Sequence, residues 1–181
     1  DLEESLRQLQ TDYIDIYQFH NPAFCPKPGN EDGLYEAALE AKRQGKIRHI
    51  GISNHRLAVA HEAIDSGLYE TLQFPYSYIS TPQEQELVDR CREADMGFIA
   101  MKAMAGGAIR DGLTAAAFME TQPAVVPIWG IQYSWELEQF LACAKTPPEM
   151  TPERQALIER DRKELAGDFC RGCGYCMPCP V

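Results

Sequence analysis

Two groups of residues in this chain have types and spacings that could do chemistry. The first is Cys170, Cys173, Cys176 and Cys179, separated by two residues each time and closed by Pro180. Thiolates at such short gaps can wrap one face of an iron–sulfur cube, and Gly172 and Gly174 permit the tight backbone this requires. Four thiolates also suit a tetrahedral zinc ion. Zinc sites usually use two separated C-x2-C knuckles, and three such gaps in a row are crowded for one tetrahedron, which favours a [4Fe–4S] centre. The second group is a set of polar residues that each close an apolar, β-rich run: His20 with Asn21, Ser53 with Asn54, Gln73, Lys102, and Gly130 with Gln132. Any one of them reads as a cap or turn residue, and Asn54 would serve as a cap for a helix starting near Arg56. Their recurrence at five successive strand ends is what points to a site.

The elements that must position them follow from hydrophobic period and punctuation. Residues 13–19 are β-branched and aromatic and predict a strand; 46–52, 71–74, 97–101 and 125–129 predict four more, the last shortened by Pro127. Helical spacing marks 33–44, 56–66, 113–120 and 135–144, with Gly45 and Gly67 as stops after the first two. Thr81-Pro82-Gln83-Glu84 supplies a cap, a Pro in the first turn and an acidic start for a helix to about residue 94. After Pro147-Pro148, a charged helix restarts at Thr151-Pro152. Strand–helix alternation at this spacing argues for βαβ units, a mostly parallel sheet and an α/β fold. Five such units make about half of a (β/α)8 barrel of roughly 250 residues, where function gathers at the C-terminal strand ends. A doubly wound sheet is the competing architecture, but its phosphate fingerprint after the first strand is missing.

Composition narrows the partners. The chain has 181 residues, 45% hydrophobic, with a formal charge of −10. That balance argues against nucleic acid, which needs clustered Lys and Arg, and no apolar run is long enough for a membrane helix. Seven cysteines are present; Cys25, Cys91 and Cys143 are scattered and read as small buried apolar residues. With no secretory pattern at the start, the cysteine cluster points to metal binding in a reducing, cytoplasmic compartment. The chain opens on Asp1 directly ahead of an amphipathic stretch and stops at Val181 inside a motif, so it reads as a fragment.

The stretch from Leu6 to His20 (LRQLQTDYIDIYQFH) resembles the fourth barrel strand of the aldo-keto reductase family, with its histidine. Gly45 to Asn54 (GKIRHIGISN) is similar to that family's G-K-[IV]-R-x-[IV]-G-[VI]-S-N passage, and Gln73 falls where its next strand carries a glutamine. The resemblance covers roughly residues 1–145 and implies the C-terminal part of a TIM (β/α)8 barrel that holds a nicotinamide cofactor, NADP or NAD, across its mouth. It implies that His20 orients and polarises the carbonyl of a small carbonyl or alcohol substrate. Ser53, Asn54 and Gln73 would bind the nicotinamide carboxamide. Met101 stands where many members stack an aromatic on the ring, and Lys102 would meet either a cofactor phosphate or solvent. Gly130 and Gln132 fall in the family's last strand and phosphate loop. No Lys or Arg follows there, and Glu136 and Glu138 carry the wrong sign for a 2′-phosphate, so NAD against NADP stays open.

The family's Asp, Tyr and Lys lie on earlier strands that this sequence does not contain, and none of its tyrosines matches the acid's motif. The chain by itself is therefore expected to be inactive. The tail is one residue shorter in its last gap than the ferredoxin run C-x2-C-x2-C-x3-C-P, and resembles that of an aldo-keto reductase branch ending in C-G-Y-C-M-P-C-P. The expected organisation is a partial barrel at 1–146, a helical linker at 147–168 and the start of a ferredoxin-like segment at 169–181. Hydride carries two electrons and a cluster takes one, so a relay would need a flavin or an electron-transfer partner; a structural cluster is the other role. The alternative to an oxidoreductase is a nucleotide-binding sensor or scaffold barrel with a structural iron–sulfur or zinc site.

Overall fold

The computed structural model describes residues 1–165; the four clustered cysteines and the expected segment 169–181 lie outside the described residues. The elements run α1 (Leu2–Leu9), β1 (Ile14–His20), α2 (Leu34–Arg43), β2 (Ile47–Ser53), α3 (Leu57–Ser66), β3 (Thr71–Pro75), α4 (Pro82–Glu93), β4 (Gly97–Met101), α5 (Gly112–Glu120), β5 (Val125–Pro127), α6 (Ser134–Lys145) and α7 (Pro152–Glu164). The strands are hydrogen-bonded in sequence order, β1-β2-β3-β4-β5. This is the α/β alternation and parallel pairing expected from the sequence. β5 stops at Pro127, short of the expected Trp129, although the Ile128 N–H still donates to the Ala100 carbonyl at 2.9 Å. No helix among the described residues is long and apolar enough to cross a membrane.

Two compact units divide the chain: residues 1–74 with 86–98, and residues 75–85 with the chain from Ile99 onward. In the first, β1 and β2 pair in parallel from Ile14↔Ile47 to His20↔Ser53, and β2 pairs β3 from Gly51↔Thr71 to Ser53↔Gln73. The period of two then divides the residues. Ile50, Ile52, Leu72 and Phe74 are buried, as are Tyr35 and Ala41 of α2 and Val59, Ala60, Ala63 and Ile64 of α3. Gln18, His20, Gly51, Ser53, Thr71 and Gln73 alternate with them on the opposite sheet face. The loop after β1 is pinned by Tyr69, whose hydroxyl donates to the Pro26 carbonyl and whose ring packs edge-on against Phe19 and Tyr35 at 6.1 and 5.9 Å.

In the second unit α5 is buried along most of its length and packs on β5, α6 and α7. Asp111 caps it, accepting from the Thr114 N–H at 2.7 Å. Buried Tyr78 fastens α7: its hydroxyl donates to Asp161 at 2.5 Å and its carbonyl accepts from Arg162 Nε at 2.6 Å. Cys25, Cys91 and Cys143 are buried free thiols, the packing role expected of them, and burial pushes the Cys91 thiol up to about 12.

Gly51 is the tightest point of the sheet. A Cβ there would fall 2.3 Å from Thr71 Oγ1 and 2.9 Å from Gln18 Cγ, and Gln18 and Thr71 are its register partners on either side. Gly51→Ala should therefore cost about 1–3 kcal/mol through overpacking. The measurement is urea unfolding, read as a lower midpoint at unchanged slope; a midpoint equal to that of the parent would refute the close approach.

Candidate functional site

The first unit brings four predicted residues together. His20, Ser53 and Gln73 are consecutive register partners and form one row across the ends of β1, β2 and β3. Asn54 joins the row through its backbone, its N–H donating to the Gln73 carbonyl at 3.0 Å. Ser53 is 3% exposed and Asn54 fully buried, whereas His20 is exposed.

Hydrogen bonding fixes what the row presents. Asn21, held at φ 45, donates its N–H to the Ser53 carbonyl at 2.9 Å and to Ser53 Oγ at 3.2 Å. Ser53 Oγ in turn lies 3.3 Å from His20 Nδ1. A hydroxyl has one proton and two lone pairs, so Ser53 can accept from Asn21 and still pair with either tautomer of the ring; in the tautomer protonated on Nε2, Ser53 O–H donates to Nδ1. In that tautomer the imidazole carries an Nε2–H at the strand end. Such a donor can polarise a carbonyl oxygen and stabilise the charge that grows on it.

Asn54 does the capping work weighed for it in the sequence. Its Oδ1 accepts from the His55 and Arg56 N–H groups, both at 2.9 Å, and its Nδ2 donates to the Pro22 carbonyl at 2.9 Å. Gln73 Oε1 accepts from Gln18 Nε2 at 3.1 Å. Gln18 was not among the residues expected at the site. The signal was its place two residues before His20, which puts both on one face of the strand; only the fold reveals that it reaches Gln73.

The other four predicted residues belong to the second unit. Met101 ends β4, and its carbonyl accepts from the Tyr76 N–H at 3.0 Å. Lys102 follows with φ 57, a left-handed backbone that costs a long side chain of order 1–3 kcal/mol. Its Nζ is buried without a hydrogen-bond partner among the described residues, and it lines a small cavity with Tyr76, Ser77 and Ser80. Gly130 and Gln132 are exposed ahead of α6. There the Glu136 carboxylate already takes the N–H groups of Gln132 and Tyr133, at 2.7 and 2.9 Å. The donors that could have received a phosphate are used by an acid from the same helix. Tyr69 and Tyr78 are held away from proton donation at neutral pH, since burial pushes both hydroxyls well above the ordinary tyrosine value.

The chain is similar to known proteins in sequence and fold. The model of the aldo/keto reductase family matches residues 1–147. An uncharacterised Bacillus subtilis oxidoreductase, YrpG, is 34% identical over 113 residues, which cover 59% of this chain and 33% of that protein. The methylglyoxal reductase DkgB of Salmonella typhimurium is 44% identical over 66 residues, 35% of this chain and 23% of that one. The chain thus spans about a quarter to a third of these relatives' length. Among solved structures, an aldo/keto reductase from Klebsiella pneumoniae in complex with NADP and acetate superposes with a TM-score of 0.67 at 25% identity, covering 88% of this chain and 62% of that one. The holo form of AKR11C1 from Bacillus halodurans shares the fold with a TM-score of 0.69 at 22% identity, covering 88% of this chain and 62% of that one.

Removing the Asn54 side chain would take the shorter of two donors from the Pro22 carbonyl, leaving Arg56 Nη1 at 3.4 Å, and would deprive two N–H groups of their acceptor. Asn54→Ala should lower stability by about 1–3 kcal/mol, chiefly through loss of the cap. Thermal unfolding followed by circular dichroism measures it, and an unchanged midpoint would contradict the bonding described.

Proposed function

The chain belongs to the aldo/keto reductase family, and from that premise we propose that it forms the nicotinamide-binding and carbonyl-polarising side of an oxidoreductase. The substrate class is a small carbonyl compound or the corresponding alcohol. The observation that carries the reading is the single row of His20, Ser53 and Gln73 across three parallel strand ends. In that row Gln73 and Ser53 offer neutral donors and acceptors for a carboxamide, and His20 offers its Nε2–H to the substrate oxygen. Neutral groups fix the orientation of a nicotinamide ring without disturbing its electronics, and near-attack geometry is what hydride transfer most needs. A bound nicotinamide supplies or takes the hydride.

Within the second unit, Lys102 Nζ is buried without an acceptor among the described residues, a cost that a bound anion such as a phosphate would offset. The Glu136 carboxylate at the start of α6 opposes a further phosphate there, which favours NAD over NADP in this reading. We further assign Cys170, Cys173, Cys176 and Cys179 to a [4Fe–4S] cluster on their spacing alone.

The test uses the whole protein, purified without oxygen and titrated with NADH and NADPH through its tryptophan fluorescence. Dinucleotide binding is expected, tighter for NADH, and Lys102→Met should weaken it about tenfold or more. Absence of binding by either nucleotide would sink the reading, while binding without turnover of any carbonyl substrate would favour a sensor. Iron and acid-labile sulfide in equal amounts are expected in the same preparation; a colourless protein containing zinc would refute the cluster.

A further inference from the structure

The chain turns sharply where β1 gives way to the loop that follows it. Asn21 has φ 45, a region that residues with side chains rarely adopt. Pro22 comes next, and a proline favours extended backbone in the residue before it. Two preferences are therefore overridden at one position, and the bonds that override them are visible. The Asn21 N–H donates to the Ser53 carbonyl at 2.9 Å and to Ser53 Oγ at 3.2 Å. The Pro22 carbonyl accepts from Asn54 Nδ2 at 2.9 Å. The backbone is thus tied to the end of β2 on both sides of the Asn21 Cα. The side-chain oxygen takes no part, since Asn21 Oδ1 is buried with no hydrogen-bond partner among the described residues.

We propose that Asn21 is a positioning residue for His20 that acts through its backbone, resting on the reading of His20 as the carbonyl-polarising group. A serine side chain has three staggered rotamers, and the Asn21 N–H on Oγ holds Ser53 in the one that lies 3.3 Å from His20 Nδ1. Rotation about φ sets how the chain leaves the peptide plane that carries this N–H. At φ 45 the plane stays aimed at Ser53 while the chain bends back far enough for the Pro22 carbonyl to meet Asn54. An ordinary negative φ would break one tie or the other. Strain of this kind persists where the surroundings over-determine it, and it gathers at functional sites. After glycine, asparagine is among the residues that visit positive φ most readily, which accounts for the residue type without any side-chain bond. Asn21 acts on the imidazole only through Ser53.

The experiment records long-range 1H–15N correlations of the imidazole rings in the whole 15N-labelled protein, with His20 identified by the signals lost in His20→Gln. Asn21→Val opposes positive φ and should move the Nδ1 and Nε2 resonances of His20 toward those of a freely rotating surface histidine. Asn21→Gly adopts positive φ at no cost and keeps the N–H, so it should leave them at the parent positions. In a Ser53→Ala background Asn21→Val should cause no further movement. Carbonyl reduction should follow the same order: kcat falls by up to about a hundredfold in Asn21→Val, with KM little changed, and is parent-like in Asn21→Gly. Asn21→Ala, a milder opponent of positive φ, carries the test if the valine variant does not fold. Parent-like His20 resonances in both Asn21→Val and Asn21→Ala, or a displacement in Asn21→Gly as large as in Asn21→Val, would overturn the proposal. If the resonances move as expected but His20→Gln reduces carbonyl substrates as fast as the parent, the polarising reading of His20 fails and the positioning of its ring stands.

Discussion

Register is the constraint on which the rest of this structure depends. Parallel pairing with His20 opposite Ser53 and Ser53 opposite Gln73 sets three polar side chains in a line. A slip of one residue would turn each of them to the apolar face and bring Phe19, Ile52 and Leu72 out in their place. The burial of Ile50, Ile52, Leu72 and Phe74 makes such a slip costly, at about 1.5–3 kcal/mol for each large side chain exposed. The hydrophobic core therefore specifies the site geometry as well as stability. The Asn21 N–H, which reaches both the carbonyl and the hydroxyl of Ser53, locks the last pair of the ladder just where the functional side chains begin.

The same alternation explains why polar groups accumulate on one face. Each strand has a helix-side set that is apolar and an opposite set that narrows at Gly51 and opens into polar rows above it. A glycine at this point is a packing requirement, since no side chain fits between Gln18 and Thr71. The consequence is a pair of amides at Gln18 and Gln73 that touch across a strand lying between them. On this sheet face the candidate site residues are held by the Gln18–Gln73 hydrogen bond and by the ladder.

Most of the element order was legible because helix stops, caps and β-rich runs agreed with one another. Gly45 and Gly67 both adopt left-handed conformations, with φ of 75 and 63, at the helix ends where the sequence placed them. The row of strand-end residues was legible for a related reason: a strand's last residue is visible once its apolar run is. Gln18 was not, because a single glutamine inside the run 13–19 looks like an ordinary solvent-facing position until its cross-strand partner is known. Asn54 was legible in both its meanings, and its side chain serves backbone groups at His55, Arg56 and Pro22. Sequence spacing could not have decided that, since a cap and a ligand contact ask for the same residue at the same place. The state of the Gly130 to Gln132 turn was also hidden. Glu136 was recognised as the wrong sign for a phosphate, but not as the group that takes the turn's N–H donors.

Charge in the second unit makes an asymmetric pattern that bears on which nucleotide such a site would prefer. At the start of α6, the Glu136 carboxylate accepts two backbone N–H groups and lies at the positive end of a helix dipole, so it is well satisfied where it sits. A phosphate arriving there would have to displace it and then bear its repulsion. At the end of β4 the opposite holds: Lys102 keeps an ammonium buried and unpaired in a left-handed backbone, two costs at one residue with no return within the described residues. Folding alone gives no reason to bury that ammonium, since an apolar residue would remove the desolvation cost and only glycine the backbone cost. An anion delivered to Lys102 gains what the protein has already spent on desolvation, and one delivered to the α6 turn must undo a bond that is already made.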